Sequence, residues 1–136
     1  MADAVSLVVG IASAFATLIE LSETVLEYVR KTAGANDEKN ALLTEVASAN
    51  VLLIELKGKA GAPEWKKTLE TMRRADGPLE MYKSALEAAA EKLQPSKKPF
   101  AKVTKRLVWY FKRGEFVEIL SKISRSKSEF DTLLNL

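Results

Sequence analysis

DAVSLVVGIASAFATLIELSETVLEY, residues 3–28, is the stretch that decides the fold. No charged residue lies between Asp3 and Glu20. Apolar residues recur there at alternating steps of four and three, which places them along one side of a helix. They are Leu7, Ile11, Ala14, Leu18, Leu21, Val25 and Tyr28, with Val8, Phe15, Ile19, Leu26 and Val29 beside them. The stretch predicts a long apolar N-terminal helix that suits either a protein core or a lipid bilayer.

A second stripe on the same predicted helix is small or polar. It consists of Ser6, Gly10, Ser13, Thr17, Glu20, Thr24 and Glu27. Small residues let helices approach closely, in lipid or in a soluble bundle. The charge-free run is shorter than the roughly 20 residues that a spanning helix needs. A secretory signal is not expected either, because Asp3 stands where such signals carry Lys or Arg.

The composition indicates one globular domain and excludes several chemistries. A chain of 136 residues with 47% hydrophobic and 29% charged residues has the balance of a single soluble domain, residues 1–136. It has no Cys and no His, so thiol nucleophiles, imidazole bases, disulfides and Cys/His metal sites are excluded. Glu87 and Glu91 share a helix face, but no nucleophile or base accompanies them. We therefore expect a protein that is not an enzyme, with no catalytic residue, metal site or cofactor.

The rest of the chain predicts more helices and no strand, because apolar residues keep the helical spacing. The second helix should begin at Asn36 or Asp37 and end at Gly58, with Ile54 supporting its apolar face and Asn50 as a buried amide. The third should run from Glu64 to Ala75, the fourth should start at Pro78 and the last near Gly114. The predicted fold is all-α, a bundle of four to five main helices.

The C-terminal third of the chain is basic. Residues 1–93 carry 11 basic and 14 acidic side chains, whereas residues 94–136 carry 10 basic and 4 acidic ones. Aromatic residues, Phe100 and Trp109 to Phe111, are interleaved with the basic ones. A basic region of this kind suits an anionic membrane surface or a nucleic acid, although a solvated face is its simplest interpretation.

This third also resembles a known family. Lys105-Arg106-Leu107-Val108-Trp109-Tyr110-Phe111-Lys112 is followed by Glu115, Ile119, Leu120, Ile123, Arg125, Lys127 and Phe130. The two segments are similar to a Leu-x-Trp-x-Phe-Lys motif and the Glu-x-x-x-Ile-Leu-x-x-Ile-x-Arg-x-Lys helix of fungal HeLo-like domains, which stand at the N-terminus of NACHT-type STAND receptors. The apolar first helix looks like theirs too. Gly114 departs from the pattern, since a charged residue is expected there.

The resemblance implies a cell-death effector domain of a fungal NLR-like receptor. Its relatives include the coiled-coil domains of plant resistance proteins and the bundle of the mixed-lineage kinase-like pseudokinase. In such domains, oligomerisation releases or rearranges the N-terminal helix, and the assembly permeabilises the plasma membrane. The implied partners are further copies of the chain, anionic lipids and a downstream NACHT-type domain in cis, with no small-molecule substrate. The implied location is cytoplasmic at rest and at the plasma membrane once activated.

Three groups of candidate site residues follow from combining the residues with that resemblance. Membrane insertion is assigned to Leu7, Val8, Ile11, Phe15, Leu18 and Ile19. Helix packing or pore lining is assigned to Asp3, Ser6, Gly10, Ser13, Thr17 and Glu20. Lipid head-group binding is assigned to Lys97, Lys98, Lys102, Lys105, Arg106, Lys112 and Arg113.

Two alternatives stay open at the level of sequence. A signalling or oligomerisation adaptor would use the faces of the bundle without touching lipid. A nucleic-acid-binding domain would use the basic and aromatic residues of the last third to bind phosphates and stack on bases. The apolar N-terminus argues against the second alternative, because binding to nucleic acid does not need it.

Overall fold

The computed structural model describes residues 2–32, 36–60, 62–72, 77–93 and 111–135, and it describes their side chains except at positions 2–11, 36, 63, 66, 69 and 71. These residues form α1 (Ala2–Lys31), α2 (Asn36–Lys59), α3 (Lys66–Met72), α4 (Pro78–Leu93) and α5 (Arg113–Leu134). A 3-10 turn, Pro63–Trp65, precedes α3. The described ranges contain no strand, so the predicted all-α class is confirmed, with four long helices and a short one among them.

The four long helices pack as a bundle. Helix α1 packs on α2 and α4, and α5 packs on the same two helices, so the order around the bundle is α1, α2, α5, α4. Helices α4 and α5 are antiparallel, because Lys92 near the end of α4 pairs with Glu115 near the start of α5. The connection from α2 to α4 therefore crosses the bundle diagonally, and it carries the 3-10 turn and α3.

Two pairs of neighbouring helices run in the same direction. Thr17 of α1 shares a groove with Leu79 in the first turn of α4, and Ser22, further along α1, contacts Tyr82. Glu45 of α2 pairs with Lys127 of α5, and residues further along both helices also lie together. Each parallel pair leaves a groove on the surface, between α1 and α4 on one side and between α2 and α5 on the other.

The core is apolar and continuous through the bundle. It buries residues at the helical spacing that the sequence predicts, and these include Phe15, Leu18, Val25, Leu42, Leu53, Tyr82, Leu86, Ile123 and Phe130. Tyr82 packs edge-on against Phe130, with ring centroids 5.6 Å apart. Large aromatic rings bury the most area per residue, so this pair is a major part of the contact between α4 and α5.

The structure differs from the sequence-based expectations in two places. The third segment is shorter as an α-helix than the predicted Glu64–Ala75, since a 3-10 turn precedes it and α3 ends at Met72. Ile54 was expected to support the apolar face of α2, but it is 50% exposed. The rotation of 100° per residue moves Ile54 away from the seam formed by Leu53 and Leu56, and the sequence alone does not show which of these neighbours faces the core.

Candidate functional site

The described part of α1 packs into the bundle through its apolar face. Phe15 and Val25 are fully buried, Leu18 is 3% exposed, and Ile19 is half-buried. Three of the six predicted membrane-insertion residues therefore contribute to the core in this form of the protein. The other three, Leu7, Val8 and Ile11, lie outside the described side chains.

The small polar stripe of α1 faces solvent where it is described. Ser13, Thr17 and Glu20 are exposed. The hydroxyl of Thr17 donates to the carbonyl oxygen of Ser13 at 2.9 Å, and the hydroxyl of Thr24 donates to that of Glu20 at 3.0 Å. Both hydroxyl donors are thus satisfied by the helix itself. Asp3, Ser6 and Gly10, the other predicted packing or pore-lining residues, lie outside the described side chains.

A groove of about 320 Å³ separates α1 from α4; it is the α1–α4 groove below. Its lining residues are Ser13, Ala14, Thr17, Leu18, Leu79, Glu80 and Lys83. Helix α4 begins at Pro78, so the groove lies at the first turn of α4. The polar stripe of α1 and the first turn of α4 are therefore separated by this groove. Leu18 and Leu79 are buried at its floor.

Below this groove, one buried hydrogen bond joins α1 to α4. Ser22 Oγ and Tyr82 Oη lie 2.7 Å apart, and both side chains are fully buried. Ser22 Oγ also donates to the carbonyl oxygen of Leu18 at 2.8 Å, so the Tyr82 hydroxyl donates to Ser22. Burial raises the pKa of Tyr82 to about 12, so the contact is neutral at physiological pH.

The C-terminal end of α1 is anchored by a charged group from α2. Lys39 Nζ donates to the carbonyl oxygen of Thr32 at 2.6 Å, and the Thr32 hydroxyl donates to that of Tyr28 at 2.7 Å. Thr32 is 1% exposed. A charge-assisted hydrogen bond at a helix C-terminus also complements the helix dipole. The first helix is therefore held firmly at its last turn.

The described part of the basic region is the start of α5. Lys112 occupies the N-cap position, and Lys112 and Arg113 are both exposed. Lys92 lies 3.0 Å from Glu115, and this hydrogen-bonded cation lowers the pKa of the Glu115 carboxyl. The carboxylate thus pairs with α4 and leaves the two basic residues facing solvent. Lys97, Lys98, Lys102, Lys105 and Arg106 lie outside the described residues.

The buried amide predicted at Asn50 is confirmed, since its side chain is 8% exposed. Its Oδ1 atom has no hydrogen-bond partner, and neither has the fully buried Ser126 Oγ of α5. The Ser22–Tyr82 contact, in contrast, was missed from sequence. The available signal was that Ser22 lies between Leu18 and Val25 at steps of four and three, a polar residue within the apolar side of α1.

Two other kinds of site are absent from the described ranges. No group of three or more acidic side chains there could hold a metal ion. Among the same residues, no helix is both long enough and apolar enough to cross a membrane. Comparison with models of known protein families, with curated proteins and with solved structures finds no match.

Proposed function

We propose that this bundle is a membrane-permeabilising, cell-death effector domain that acts when α1 leaves its seat and several copies assemble on an anionic membrane. The domain would be cytoplasmic at rest and would work at the plasma membrane as the N-terminal part of a fungal NLR-like receptor. The observation that carries the proposal is the attachment of α1. It is anchored at Thr32 by a charge, and its described side chains join α4 through apolar contacts and a neutral hydrogen bond only.

That kind of attachment makes release energetically possible. Separating two helices that share a neutral hydrogen bond leaves no uncompensated charge, and a partner left unsatisfied by its loss costs about 1–3 kcal/mol. The interhelical ion pairs of the described chain, Lys92–Glu115 and Glu45–Lys127, join α4, α5 and α2. Separating α1 from α4 would break neither of them, so the remaining three helices keep their ion pairs.

The polar stripe of α1 supports action in lipid. In a bilayer every polar group needs an internal partner. The hydroxyls of Thr17 and Thr24 already have one in the helix backbone, so they would enter lipid without losing a hydrogen bond. Apolar burial is worth about 25 cal/mol per Å² in either environment, so a buried face such as that of Phe15 and Leu18 exchanges protein for lipid at small cost.

We further propose that residues 2–11, the first ten residues of α1, extend beyond the first turn of α4 as an apolar segment. Residues 4–11 carry no charge. Ten helical residues rise about 15 Å, so this segment would be the first to reach a bilayer. Lys112 and Arg113 are exposed at the start of α5, and each basic residue near an anionic leaflet adds about 1 kcal/mol of attraction.

Cross-linking tests whether α1 must leave the bundle. The chain has no cysteine, so introduced thiols are unique. Thr17→Cys with Lys83→Cys, bridged by a short bis-maleimide across the α1–α4 groove, should abolish dye release from phosphatidylserine-containing vesicles. The matched control is the same double variant capped with a monofunctional maleimide, which modifies both thiols and leaves α1 free. We expect the capped control to release dye like the unmodified protein, and equal release by the bridged and the capped proteins would refute the release of α1.

A charge scan tests the insertion segment itself. Leu7→Glu with Ile11→Glu should remove vesicle leakage, because two carboxylates within one helical face make burial in lipid costly. Ser84→Glu with Ser121→Glu adds the same charge at exposed positions of α4 and α5 and should leave leakage unchanged. If the folded, unmodified domain leaves vesicles sealed even when clustered by a fused oligomerisation tag, the membrane function is wrong and an adaptor role replaces it.

A further inference from the structure

The outer face of α2 carries an apolar patch that the described part of the bundle does not cover. Val51 is 55% exposed and Ile54 is 50% exposed, and they lie one turn apart on the same side of the helix. Most of α2's other long apolar side chains, such as Leu42, Leu53 and Leu56, are fully buried. Exposed aliphatic residues grouped in this way indicate a contact surface better than scattered ones do.

The patch is part of an uncharged stripe along α2, which we call the α2 stripe. It consists of Asn40, Thr44, Ala47, Val51, Ile54 and Gly58. These residues follow one another at alternating steps of four and three, the spacing of a helix–helix seam. All are exposed except the half-buried Ala47, and a Cβ atom added at Gly58 would meet open space. Over five turns, the stripe thus has the small and apolar character that close helix packing needs.

The two ends of α2 carry opposite charges. Asp37 and Glu38 lie in the first turn, and Lys57 and Lys59 lie in the last turn. Asp37 and Lys57 are both exposed, and Asp37 continues the spacing of the α2 stripe. Two copies of α2 packed in parallel would bring like charges together. Packed antiparallel, they would bring the acidic first turn of each copy beside the basic last turn of the other.

We propose that a second copy of this chain packs on the α2 stripe, with the two α2 helices antiparallel about a twofold axis. In this arrangement Val51 faces Ala47 of the other copy and Ile54 faces its Thr44. Large residues thus meet small ones, as interdigitating helices require. At 24 residues, α2 is about 36 Å long and offers five turns of contact. The inference rests on the proposed function for its biological role, because it names the surface through which copies would assemble.

Single-cysteine variants test this geometry without any lipid. Ala47→Cys lies close to the twofold axis and should form a disulfide-linked dimer on mild oxidation, doubling the 15.0 kDa mass. Gly58→Cys alone should form no disulfide-linked dimer, because the two cysteines at position 58 lie at opposite ends of the antiparallel pair. A mixture of Asn40→Cys and Gly58→Cys chains should cross-link, since those positions oppose each other. Ser84→Cys, exposed on α4, is the control that should not cross-link.

Charge reversal provides a second test with a rescue. Asp37→Lys should weaken dimerisation, measured by light scattering, and Asp37→Lys with Lys57→Glu should restore it, provided that circular dichroism shows both variants folded. A monomeric Ala47→Cys variant, or self-linking of Gly58→Cys, would overturn the antiparallel pairing. Because these readouts need no membrane, a dimer that leaves vesicles sealed would refute the proposed function alone, and leakage without α2 cross-links would refute this surface alone.

Discussion

The two parallel helix pairs of the bundle are held together by different chemistry. Between α1 and α4, Ser22 and Tyr82 form a buried neutral hydrogen bond, and the Ser22 hydroxyl is also bonded to its own helix. Between α2 and α5, Glu45 and Lys127 form a half-buried ion pair with a 2.8 Å separation. The first pair can separate without breaking an ion pair, whereas the second cannot. The proposed function accordingly assigns the movement to α1 and leaves α2 and α5 in place.

The buried polar atoms extend this contrast. Ser22 and Ser126 are both fully buried serines, one on α1 and one on α5. Ser22 Oγ takes part in two hydrogen bonds, whereas Ser126 Oγ has no partner. The buried hydroxyl of Ser22 therefore stabilises the α1–α4 junction, whereas the buried hydroxyl of Ser126 contributes no hydrogen bond.

The largest expected effect comes from truncating core side chains, and it shows whether α1 opens locally or unfolds with the whole bundle. Phe15→Ala and Leu53→Ala each remove a fully buried side chain and should lower the free energy of unfolding by about 3–5 kcal/mol in urea titrations. Native-state hydrogen exchange should distinguish them. Phe15→Ala should accelerate exchange in residues 13–22 beyond the rest of the bundle, and Leu53→Ala should accelerate it in all helices alike. If Phe15→Ala accelerated hydrogen exchange equally in all helices, the idea that α1 opens separately would be wrong.

Alkaline pH should weaken the α1–α4 junction specifically. The pKa of Tyr82 is raised by burial to about 12, against an ordinary value of 10.0, so above pH 10 ionisation stabilises the unfolded chain first. The stabilising effect is complete below pH 10 and is lost as pH rises through 12. We expect a loss of about 2–3 kcal/mol over that window in urea titrations. Tyr82→Phe should lack this component, and an identical alkaline loss in that variant would contradict the assignment.

The two buried serines should respond in opposite ways to truncation. Ser22→Ala leaves the Tyr82 hydroxyl buried without a partner and should cost about 1–3 kcal/mol. Ser126→Ala removes a hydroxyl that has no partner, so thermal unfolding should show no loss of stability or a small gain. Tyr82→Phe should have an intermediate effect and lower the free energy of unfolding by about 1 kcal/mol. The Ser22 hydroxyl keeps its hydrogen bond to the carbonyl oxygen of Leu18 in that variant. Equal losses at the two serines would remove the contrast between the junctions.

The smallest expected effect concerns the ion pair between α2 and α5. Glu45→Gln keeps the shape of the side chain and should cost about 1 kcal/mol at low salt, because the pair is partly exposed. Adding salt should shrink this difference, since ions screen partly exposed charges. The cost of Ser22→Ala should not change with salt. Calorimetric melting at two ionic strengths measures both, and a salt-insensitive Glu45→Gln would show that the pair contributes by shape alone.

Periodicity made most of the helical framework predictable. Helix α4 has seven buried residues, and the four-three spacing selects five of them: Leu79, Tyr82, Leu86, Ala89 and Leu93. The other two, Ala85 and Ala90, lie beside that series. The start of α4 followed from Pro78. The candidate site was less accessible. Phe15 and Leu18 are apolar in any setting, and the sequence pattern is the same for a helix buried in protein and for one buried in lipid.

The sequence by itself determined the all-α class, the helix spacing and the buried amide at Asn50, because these depend on residues close together along one helix. Only the tertiary structure decided that Ile54 faces solvent, that Ser22 meets Tyr82 and that α1 lies beside α4 in the same direction. Such facts join residues on different helices, and one of these pairs is separated by 60 positions. They depend on how the helices rotate and pack against one another, which local periodicity does not specify.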